Sequence, residues 1–258
     1  MAVQVKQQLL QINRQFYEEF AGPFAASRNP QQPGLRLLLA WLPRQGALLD
    51  VGCGNGRLAL LLDGRAHELT YLGLDASAGL LAVARRAAES FRHVHARFRQ
   101  VDISVPGWAR SLPPASFQAI TLLSVLHHMP GEQERLQLLE TLASLLAPDG
   151  LLAVSTWQFQ NSPRLRRKIV PWSLVGLEAG QVEPGDYLLD WQRGGSGLRY
   201  CHLVDEDELA GLARTAGFHL RHTFYADGRE GNLNLVGILA SAQQNGERDE
   251  PGTAGRFP

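Results

Sequence analysis

The sequence is short of lysine and cysteine and carries no net charge. Only Lys6 and Lys168 among its 25 basic residues are lysine, and 25 acidic residues balance the total. A balanced chain has no global attraction for a polyanion, although a local basic patch remains open. Its two cysteines, Cys53 and Cys201, are too few for a disulfide framework or for a zinc site of their own.

Long apolar runs and targeting signals are also missing. No apolar run reaches the roughly 18 residues that a membrane-spanning helix needs. The N-terminal segment is polar and amphipathic and lacks the apolar stretch of a signal peptide. Together with the free thiols, these absences predict a soluble, cytoplasmic protein with no membrane partner and no metal site.

The sequence does contain a globular composition and an alternation of elements. Its 258 residues are 45% hydrophobic and 19% charged, which is too apolar for an intrinsically disordered chain. Strand candidates alternate with helical segments. This predicts an α/β, Rossmann-like fold with a central, mostly parallel, seven-stranded sheet and helices on both faces. The predicted strands are residues 47–51, 70–74, 96–101, 117–125, 151–156, 218–225 and 233–240.

Three further segments complete the predicted organisation. Helical spacing over residues 4–20 predicts an N-terminal helical cap, taken as residues 1–46. Within the main domain, residues 47–240, the stretch 158–198 is rich in proline and glycine and lacks periodicity, so we expect an inserted, mobile lid. The polar residues 241–258 predict a disordered tail.

A glycine-rich loop follows the first predicted strand. Asp50 stands two residues before Gly52, and Gly52, Gly54 and Gly56 form a G-x-G-x-G loop that opens a helix. Glycine permits a tight turn and lets a ligand approach the main chain. Dinucleotide folds use G-x-G-x-x-G and hold a pyrophosphate there. The earlier third glycine and the Asp50 carboxylate instead favour a nucleoside that carries a cationic amino-acid arm.

Two more predicted strands end in an acid. Asp75 follows the second strand and Asp102 follows the third. The carboxyl ends of parallel strands meet at one edge of a sheet, so both acids are expected beside the glycine loop. A carboxylate at the second strand can accept hydrogen bonds from both ribose hydroxyls, and one at the third can accept from an adenine amino group.

With these motifs, the segment from about residue 47 to residue 156 resembles the class I S-adenosylmethionine-dependent methyltransferases. In that family the first acid and the glycine loop hold the methionine arm, the second acid holds the ribose and the third holds the adenine. The segment from Ser124 to Met129 resembles the fourth-strand end that lines the methyl-transfer centre. The resemblance implies S-adenosylmethionine as cofactor. The implied cofactor-binding residues are Asp50, Gly52, Gly54, Gly56, Asp75, Ala76, Asp102, Ile103, Ser124, Tyr17 and Arg28.

The flanks resemble a narrower group, the wobble-uridine tRNA carboxymethyl methyltransferases of fungi and the AlkB-homologue methyltransferase domain of animals. The resemblance rests on Phe16-Tyr17 through Ser27-Arg28, on Val170-Pro171-Trp172 and on Arg199-Tyr200-Cys201-His202-Leu203. It departs where Cys201 and Leu233 replace a tyrosine and a tryptophan of the family. It implies tRNA modification, with a carboxylate on a modified wobble uridine of tRNA as methyl acceptor and a small protein as partner.

Three residues are the catalytic candidates. Arg199 and His202 form a pair that could hold an acceptor carboxylate, because a guanidinium can fork onto a carboxylate. His127 and His128 follow the fourth strand, and adjacent residues cannot both face the site, so His127 is the candidate base. The cluster 164–168 is basic and could contact phosphates, or it could be a solvated face.

Four functions remain open at this point. The leading one is S-adenosylmethionine-dependent methyl transfer to the tRNA carboxylate. The alternative is a small-molecule O- or N-methyltransferase of the same fold that acts, for example, on a small carboxylate. A nucleotide-dependent dehydrogenase is disfavoured by the glycine spacing and by Asp50. A non-catalytic cofactor-binding scaffold would bind the cofactor without turnover.

Overall fold

The structure is a computed structural model that describes residues 1–26 and 32–241. The strands of its central sheet are β1 (Gln45–Val51), β2 (Glu68–Asp75), β3 (Val94–Gln100), β4 (Phe117–Leu123), β5 (Leu146–Trp157), β9 (Phe218–Ala226) and β10 (Asn234–Ser241). A smaller sheet contains β6 (Ile169–Val170), β7 (Asp186–Trp191) and β8 (Gly197–His202). The helices are α1 (Val3–Glu19), α2 (Ala21–Ala26), α3 (Pro33–Leu38), α4 (Arg57–Asp63), α5 (Ala78–Ala88), α6 (Glu132–Leu145), α7 (Pro163–Arg166) and α8 (Glu206–Thr215).

The central sheet has seven strands in the order β3-β2-β1-β4-β5-β10-β9. The first five strands are parallel, and β10 runs antiparallel between β5 and β9. Leu48, Leu49 and Val51 of β1 are fully buried because helices cover both faces of the sheet. The prediction of a Rossmann-like, mostly parallel, seven-stranded sheet is confirmed.

Separate apolar cores fill the two faces. On one face, α6 and α8 pack against the sheet through leucines such as Leu139 and Leu209. On the other, α3 and α4 pack through Leu38 and Leu62.

The start of α5 is capped as its sequence predicts: the Ser77 hydroxyl accepts a hydrogen bond from the backbone N–H of Leu80.

The insertion is more ordered than its sequence predicts. Residues 158–198 contribute β6, β7 and the start of β8, which pair antiparallel in a three-stranded sheet. Gly194 and Gly195, with φ of +72° and +142°, provide the turn between β7 and β8. The small sheet packs on α1, where the backbone N–H of Tyr200 donates to Asn13 Oδ1 at 2.9 Å. The expectation of an irregular segment is therefore wrong for β7 and β8.

The predictions for Arg28 and for the C-terminal tail concern residues at or outside the ranges that the structure describes. Arg28 and the predicted tail from residue 242 onward lie outside the described residues. Strand β10 runs to Ser241, one residue into the predicted tail. Among the described residues, no helix combines the length and the apolar character that a membrane crossing requires. The division at residues 46 and 240 stays a prediction.

Candidate active site

A cavity of about 250 Å³ lies at the carboxyl ends of β1 to β4. This is the edge where the strand order reverses between β1 and β4, the usual ligand site of open α/β sheets. One face of α1 covers the cavity, with lining residues at helical spacing. These residues are Leu10, Asn13, Arg14, Tyr17 and Glu18.

The cover of this cavity is α1, and the insertion lies on the other side of that helix. No described residue between 158 and 198 lines the cavity. The opposite face of α1 packs on the small sheet, where Phe16 and Trp191 make an edge-on ring contact with centroids 5.3 Å apart. This corrects the expectation that the insertion itself covers the cofactor.

The glycine loop forms the floor of the cavity. Gly52 has φ +75°, and a Cβ there would lie 2.1 Å from Val125 Cγ2, so no larger residue fits. Gly54 has φ +55°, and a Cβ there would meet nothing within 4 Å and would occupy cavity space. Gly56 does not line the cavity; with φ +76° it begins α4, and its hypothetical Cβ would lie 3.0 Å from Ala84 Cβ.

Asp50 lies fully buried beneath the loop and lines the cavity. The Tyr71 hydroxyl donates to one carboxylate oxygen and the Thr121 hydroxyl donates to the other at 2.7 Å. Burial raises the pKa of Asp50 to about 6, and the two hydroxyl hydrogen bonds only partly offset that effect. A cationic ligand group would favour the ionised form of this carboxyl.

Asp75 lines the next position along the sheet edge. Its Oδ2 accepts from the backbone N–H of Gly54 and its Oδ1 from that of Ser77, each at 2.8 Å. Burial raises its pKa against the lowering effect of these bonds. Each carboxylate oxygen has two acceptor positions, so both retain capacity for a ligand. Ala76 lies beside it in the lining.

Asp102 closes the far end, with Ile103 beside it in the lining. Its Oδ1 accepts from the backbone and hydroxyl of Ser104, and its Oδ2 forms a 2.6 Å ion pair with Arg14 of α1. Burial acts to raise the pKa of Asp102, but the Ser104 hydrogen bonds and Arg14 outweigh it and hold the pKa below its usual range. The ion pair fastens α1 across this end of the cavity.

Ser124 holds a strained backbone at the end of β4. Its φ of +60° is in the left-handed region, which non-glycine residues rarely adopt. Its N–H donates to the hydroxyl and the carbonyl of Ser155, both at 3.0 Å. Strain of this kind clusters at functional sites, and both serines line the cavity.

Of the two adjacent histidines, His128 lines the cavity and His127 does not. His127 is 2% exposed, and its Nδ1 accepts from the backbone N–H of Trp157 at 3.3 Å. His128 Nε2 lies 2.9 Å from the Tyr17 hydroxyl, and its Nδ1 lies 3.0 Å from the carbonyl oxygen of Tyr200. The expectation that one histidine faces the site therefore applies to His128, and the choice of His127 is corrected by the structure.

Arg199 is buried in an aromatic box outside the cavity lining. Its guanidinium carbon lies 4.9 Å from the ring centroids of Phe16 and Trp157 and 5.2 Å from that of Trp191. Only 6% of the residue is exposed, and its Nε is buried without a hydrogen-bond partner. No described carboxylate forms an ion pair with it.

His202 does not join Arg199, because residues three apart on a strand point to opposite faces. Its ring nitrogens lie 2.7 Å from Asp186 Oδ1 and 2.9 Å from Glu208 Oε2. Burial acts to lower its pKa, but the two carboxylates outweigh burial and raise it above 6.5. Arg135 completes this buried network. The predicted Arg199–His202 pair is therefore not a single anion-binding unit, and His202 is engaged by the protein itself.

Sequence reasoning missed a polar group at the other end of the cavity. Arg57 lines it, directly after the last glycine of the loop, and donates to Gln32 Oε1 at 3.1 Å. Asp227, with φ +67°, accepts from Asn234 Nδ2 at 2.7 Å and from the backbone N–H of Gly34 at 2.9 Å. The position of Arg57 beside the glycine motif could have indicated it. Asp227 and Asn234 have no local sequence signal.

The family model of the methyltransferase domain matches residues 25–223, more than half of the chain. The chain belongs to this methyltransferase family. The tRNA (carboxymethyluridine(34)-5-O)-methyltransferase of Xenopus tropicalis is 31% identical to the methyltransferase over 146 residues, which cover 56% of this chain and 20% of that protein. The match therefore spans only about a fifth of the length of that relative.

Two further proteins resemble the methyltransferase. A ubiquinone biosynthesis O-methyltransferase of Albidiferax ferrireducens is 26% identical over 176 residues, 68% of this chain and 61% of that one. The crystal structure of magnesium protoporphyrin IX methyltransferase from Synechocystis, with bound S-adenosylhomocysteine (SAH), gives a TM-score of 0.61 at 18% identity. It covers 90% of this chain and 99% of that chain. This structural likeness shows the fold.

The family match confirms the predicted methyltransferase domain, and the structural likeness confirms the Rossmann-like fold. The cofactor predicted from the sequence is S-adenosylmethionine, and the Synechocystis structure contains bound SAH. The lining fits that cofactor. Asp50 and Arg57 place an anion and a cation at one end, where an amino-acid arm needs both, and Gly54 leaves space against the main chain. When bound, S-adenosylmethionine supplies an electrophilic methyl group on a sulfonium.

Proposed function

We propose that the methyltransferase methylates a carboxylate on a modified wobble uridine of tRNA. The observation that carries this proposal is Arg199, a buried cation with no carboxylate partner among the described residues. A buried guanidinium without an anion is costly, and a forked carboxylate would compensate it. The name of the Xenopus relative, which describes carboxymethyluridine methylation in tRNA, supports the same acceptor.

In this proposal the strand-end acids hold the cofactor in the order of the strands. Asp102 follows β3, Asp75 is the last residue of β2 and Asp50 is the next-to-last residue of β1. These three strands are neighbours in the sheet. Adenine then lies at Asp102, ribose at Asp75 and the methionine ammonium at Asp50. Gly52 and Gly54 admit the arm against the backbone, and Ser124, Tyr17 and His128 line the transfer end. Binding of adenine at Asp102 competes with its ion pair to Arg14.

A carboxylate acceptor needs little chemical help. It is ionised at neutral pH, so no general base is required. Transfer from a sulfonium is an in-line displacement that depends on positioning and on the electrostatics of the site. Arg199 lies outside the cavity lining, so in this proposal the acceptor must be long enough to reach both Arg199 and the transfer end of the cavity. The aromatic rings around Arg199 exclude water. The exposed arginines 164, 166 and 167 are available for tRNA phosphates.

The second candidate is O- or N-methylation of a small molecule. The observation that favours it is the Tyr17–His128 hydrogen bond in the cavity wall, because such acceptors must lose a proton. The name of the Albidiferax relative, an O-methyltransferase of ubiquinone biosynthesis, supports this class.

The test supplies methyl-labelled S-adenosylmethionine with bulk tRNA and, separately, with a small-molecule extract. Label on tRNA that mild alkali releases as methanol identifies a carboxyl methyl ester and supports the tRNA proposal. Alkali-stable label on small molecules supports the alternative. Asp75→Ala is the control for cofactor-dependent label. Adding a protein extract to the tRNA reaction tests the proposed small protein partner, which would raise the rate.

A further inference from the structure

A band of arginines lies along the edge of the central sheet that β3 forms. Residues 85–110 contain six arginines and two acids, so with histidine neutral this segment has a net charge of +4 in a chain whose net charge is zero. All six arginines are exposed. These residues, called the β3-edge arginines below, are Arg85, Arg86, Arg92, Arg97, Arg99 and Arg110.

Strand β3 holds two of these side chains in a row. It pairs on one side with β2, and no described strand pairs with its other side. Side chains two residues apart on a strand share a face, so Arg97 and Arg99 project together, about 7 Å apart along the strand. Phe98 between them points to the other face, where its ring centroid lies 5.8 Å from that of Tyr71. The two guanidinium groups thus repeat at a spacing close to that of successive phosphates in a nucleic acid strand.

Neighbouring segments extend the positive charge beyond the strand. Arg85 of α5 reaches β3, since its Nη2 donates to the carbonyl oxygen of Phe98 at 3.1 Å. Arg99 Nη2 donates to the hydroxyl of Ser111 at 2.8 Å, next to Arg110. Charges on an edge strand discourage its pairing with another strand, and charges on β3 alone would be enough for that purpose. Charge that continues from α5 across β3 to residue 110 forms a broader surface of one sign.

The nearby acids leave this surface basic. No described acid forms an ion pair with any of the β3-edge arginines. Asp102 is paired with Arg14 of α1, and one oxygen of Asp63 accepts from three backbone N–H groups at the start of β3. Glu89 is exposed just after α5.

The acidic residues of the chain are concentrated elsewhere. The acidic run 205–208 lies at the start of α8, which packs on β9 at the opposite edge of the sheet. The molecule is therefore polarised, and its β3 edge attracts a polyanion although the whole chain is neutral.

We propose that the β3-edge arginines bind the phosphate backbone of tRNA. This inference rests on the function proposed above and assigns a surface to its macromolecular substrate. A guanidinium forks onto phosphate oxygens, and a continuous row of exposed guanidinium groups fits an evenly charged backbone.

The position of this surface suits a large acceptor. Ile103 and Ser104, just after β3, line one end of the cavity. At the other side, β5 lies next to β4 and leads into the insertion with its exposed arginines 164, 166 and 167. A tRNA is much longer than the cavity, so it can contact both basic regions while one nucleotide enters between them.

The experiment measures the binding of bulk tRNA to the full chain, saturated with SAH, at about 50 to 200 mM salt. Arg97→Glu/Arg99→Glu should weaken binding by about 10- to 100-fold at about 0.1 M salt, because two phosphate contacts become repulsive. Arg97→Gln/Arg99→Gln adds no acid to the strand. It should make the slope of log K against log salt shallower by about 1.4–1.8, the value for two lost phosphate contacts. SAH affinity should not change in either variant.

The matched control is Arg214→Glu/Arg221→Glu, which has the same net charge as the first variant but changes α8 and β9, at the far side of the sheet. Its tRNA affinity should stay within about threefold of the wild type, because salt screens distant charges. Equal weakening in the control and in Arg97→Glu/Arg99→Glu would reveal only a net-charge effect and would overturn the proposal. Displacement of tRNA by poly-L-glutamate at equal charge concentration would also overturn it, because the surface would then suit acidic proteins.

The methyl-transfer assay separates this proposal from the proposed function. Methyl ester label on tRNA, with tRNA affinity unchanged in Arg97→Glu/Arg99→Glu, would overturn the surface and leave the proposed function intact. Binding of tRNA that needs Arg97 and Arg99, with label only on small molecules, would support the surface and contradict the proposed function. A wild-type chain that binds no tRNA at the lowest salt and labels only small molecules would contradict both.

Discussion

In the ligand-free methyltransferase, Asp50→Asn should gain stability relative to the wild type as the pH rises from acid to neutral. Burial raises the pKa of Asp50 from 3.8 to about 6. The shift of about two pH units corresponds to about 3 kcal/mol between the protonated and ionised forms. The folded chain thus binds the Asp50 proton more tightly than the unfolded chain does. The contribution of Asp50 to wild-type stability falls by up to this amount as pH rises from about 4 to about 6, and then stays level.

The asparagine variant lacks this titration. The difference in unfolding free energy between Asp50→Asn and the wild type should therefore move by about 3 kcal/mol in favour of the variant between pH 4 and pH 7.5. Denaturant unfolding of both proteins at four pH values measures it. Saturating SAH should shrink the difference, because its ammonium favours the ionised carboxyl. A difference that is independent of pH would refute the buried, cation-seeking role of Asp50.

Four other predictions follow from the same geometry. Asp75→Ala should weaken SAH binding in calorimetry, since each lost charge-assisted hydrogen bond contributes about 1.5–3 kcal/mol; unchanged affinity with an intact fold would remove Asp75 from the site. Arg199→Lys loses the forked geometry and should lower turnover while SAH affinity stays within about threefold, under roughly 0.7 kcal/mol; a collapse of affinity would place Arg199 in the cofactor pocket. His202→Gln should destabilise the fold by about 3–5 kcal/mol at pH 6, because the buried Asp186 carboxylate and the partly buried Glu208 carboxylate lose their contact with the imidazolium. This loss should diminish as pH rises through the raised pKa of His202, and pH-independent destabilisation would contradict it. SAH should slow hydrogen exchange in α1 more than in residues 158–198, and the reverse pattern would restore the insertion as the lid.

Local apolar patterning predicted most of the sheet because the strands of a parallel sheet are buried on both faces and form short apolar runs. The predicted strand 70–74 lies within β2, and residues 47–51 lie within β1. The same reasoning failed for β7, whose residues Asp186 to Trp191 show no simple alternation. Its partner β8 follows a loop with two glycines, a hairpin signal that could have indicated both strands.

The cofactor end of the site was predictable for a topological reason: acids that follow parallel strands meet at one edge. The acceptor end of the site could not be predicted from the sequence, because its residues come from distant parts of the chain. Tyr17 and His128 meet only because α1 crosses the cavity. The opposite orientation of Arg199 and His202 could have been read from their spacing on a strand, had β8 been recognised.

We infer above all that the cavity at the carboxyl ends of β1 to β4 binds S-adenosylmethionine through the acids at the strand ends. Calorimetric titration of the full chain with SAH, and in parallel with NADH, tests it most directly. We expect one SAH site per chain, which is lost or strongly weakened in Asp75→Ala, and no binding of NADH. Binding of NADH with no binding of SAH would contradict it.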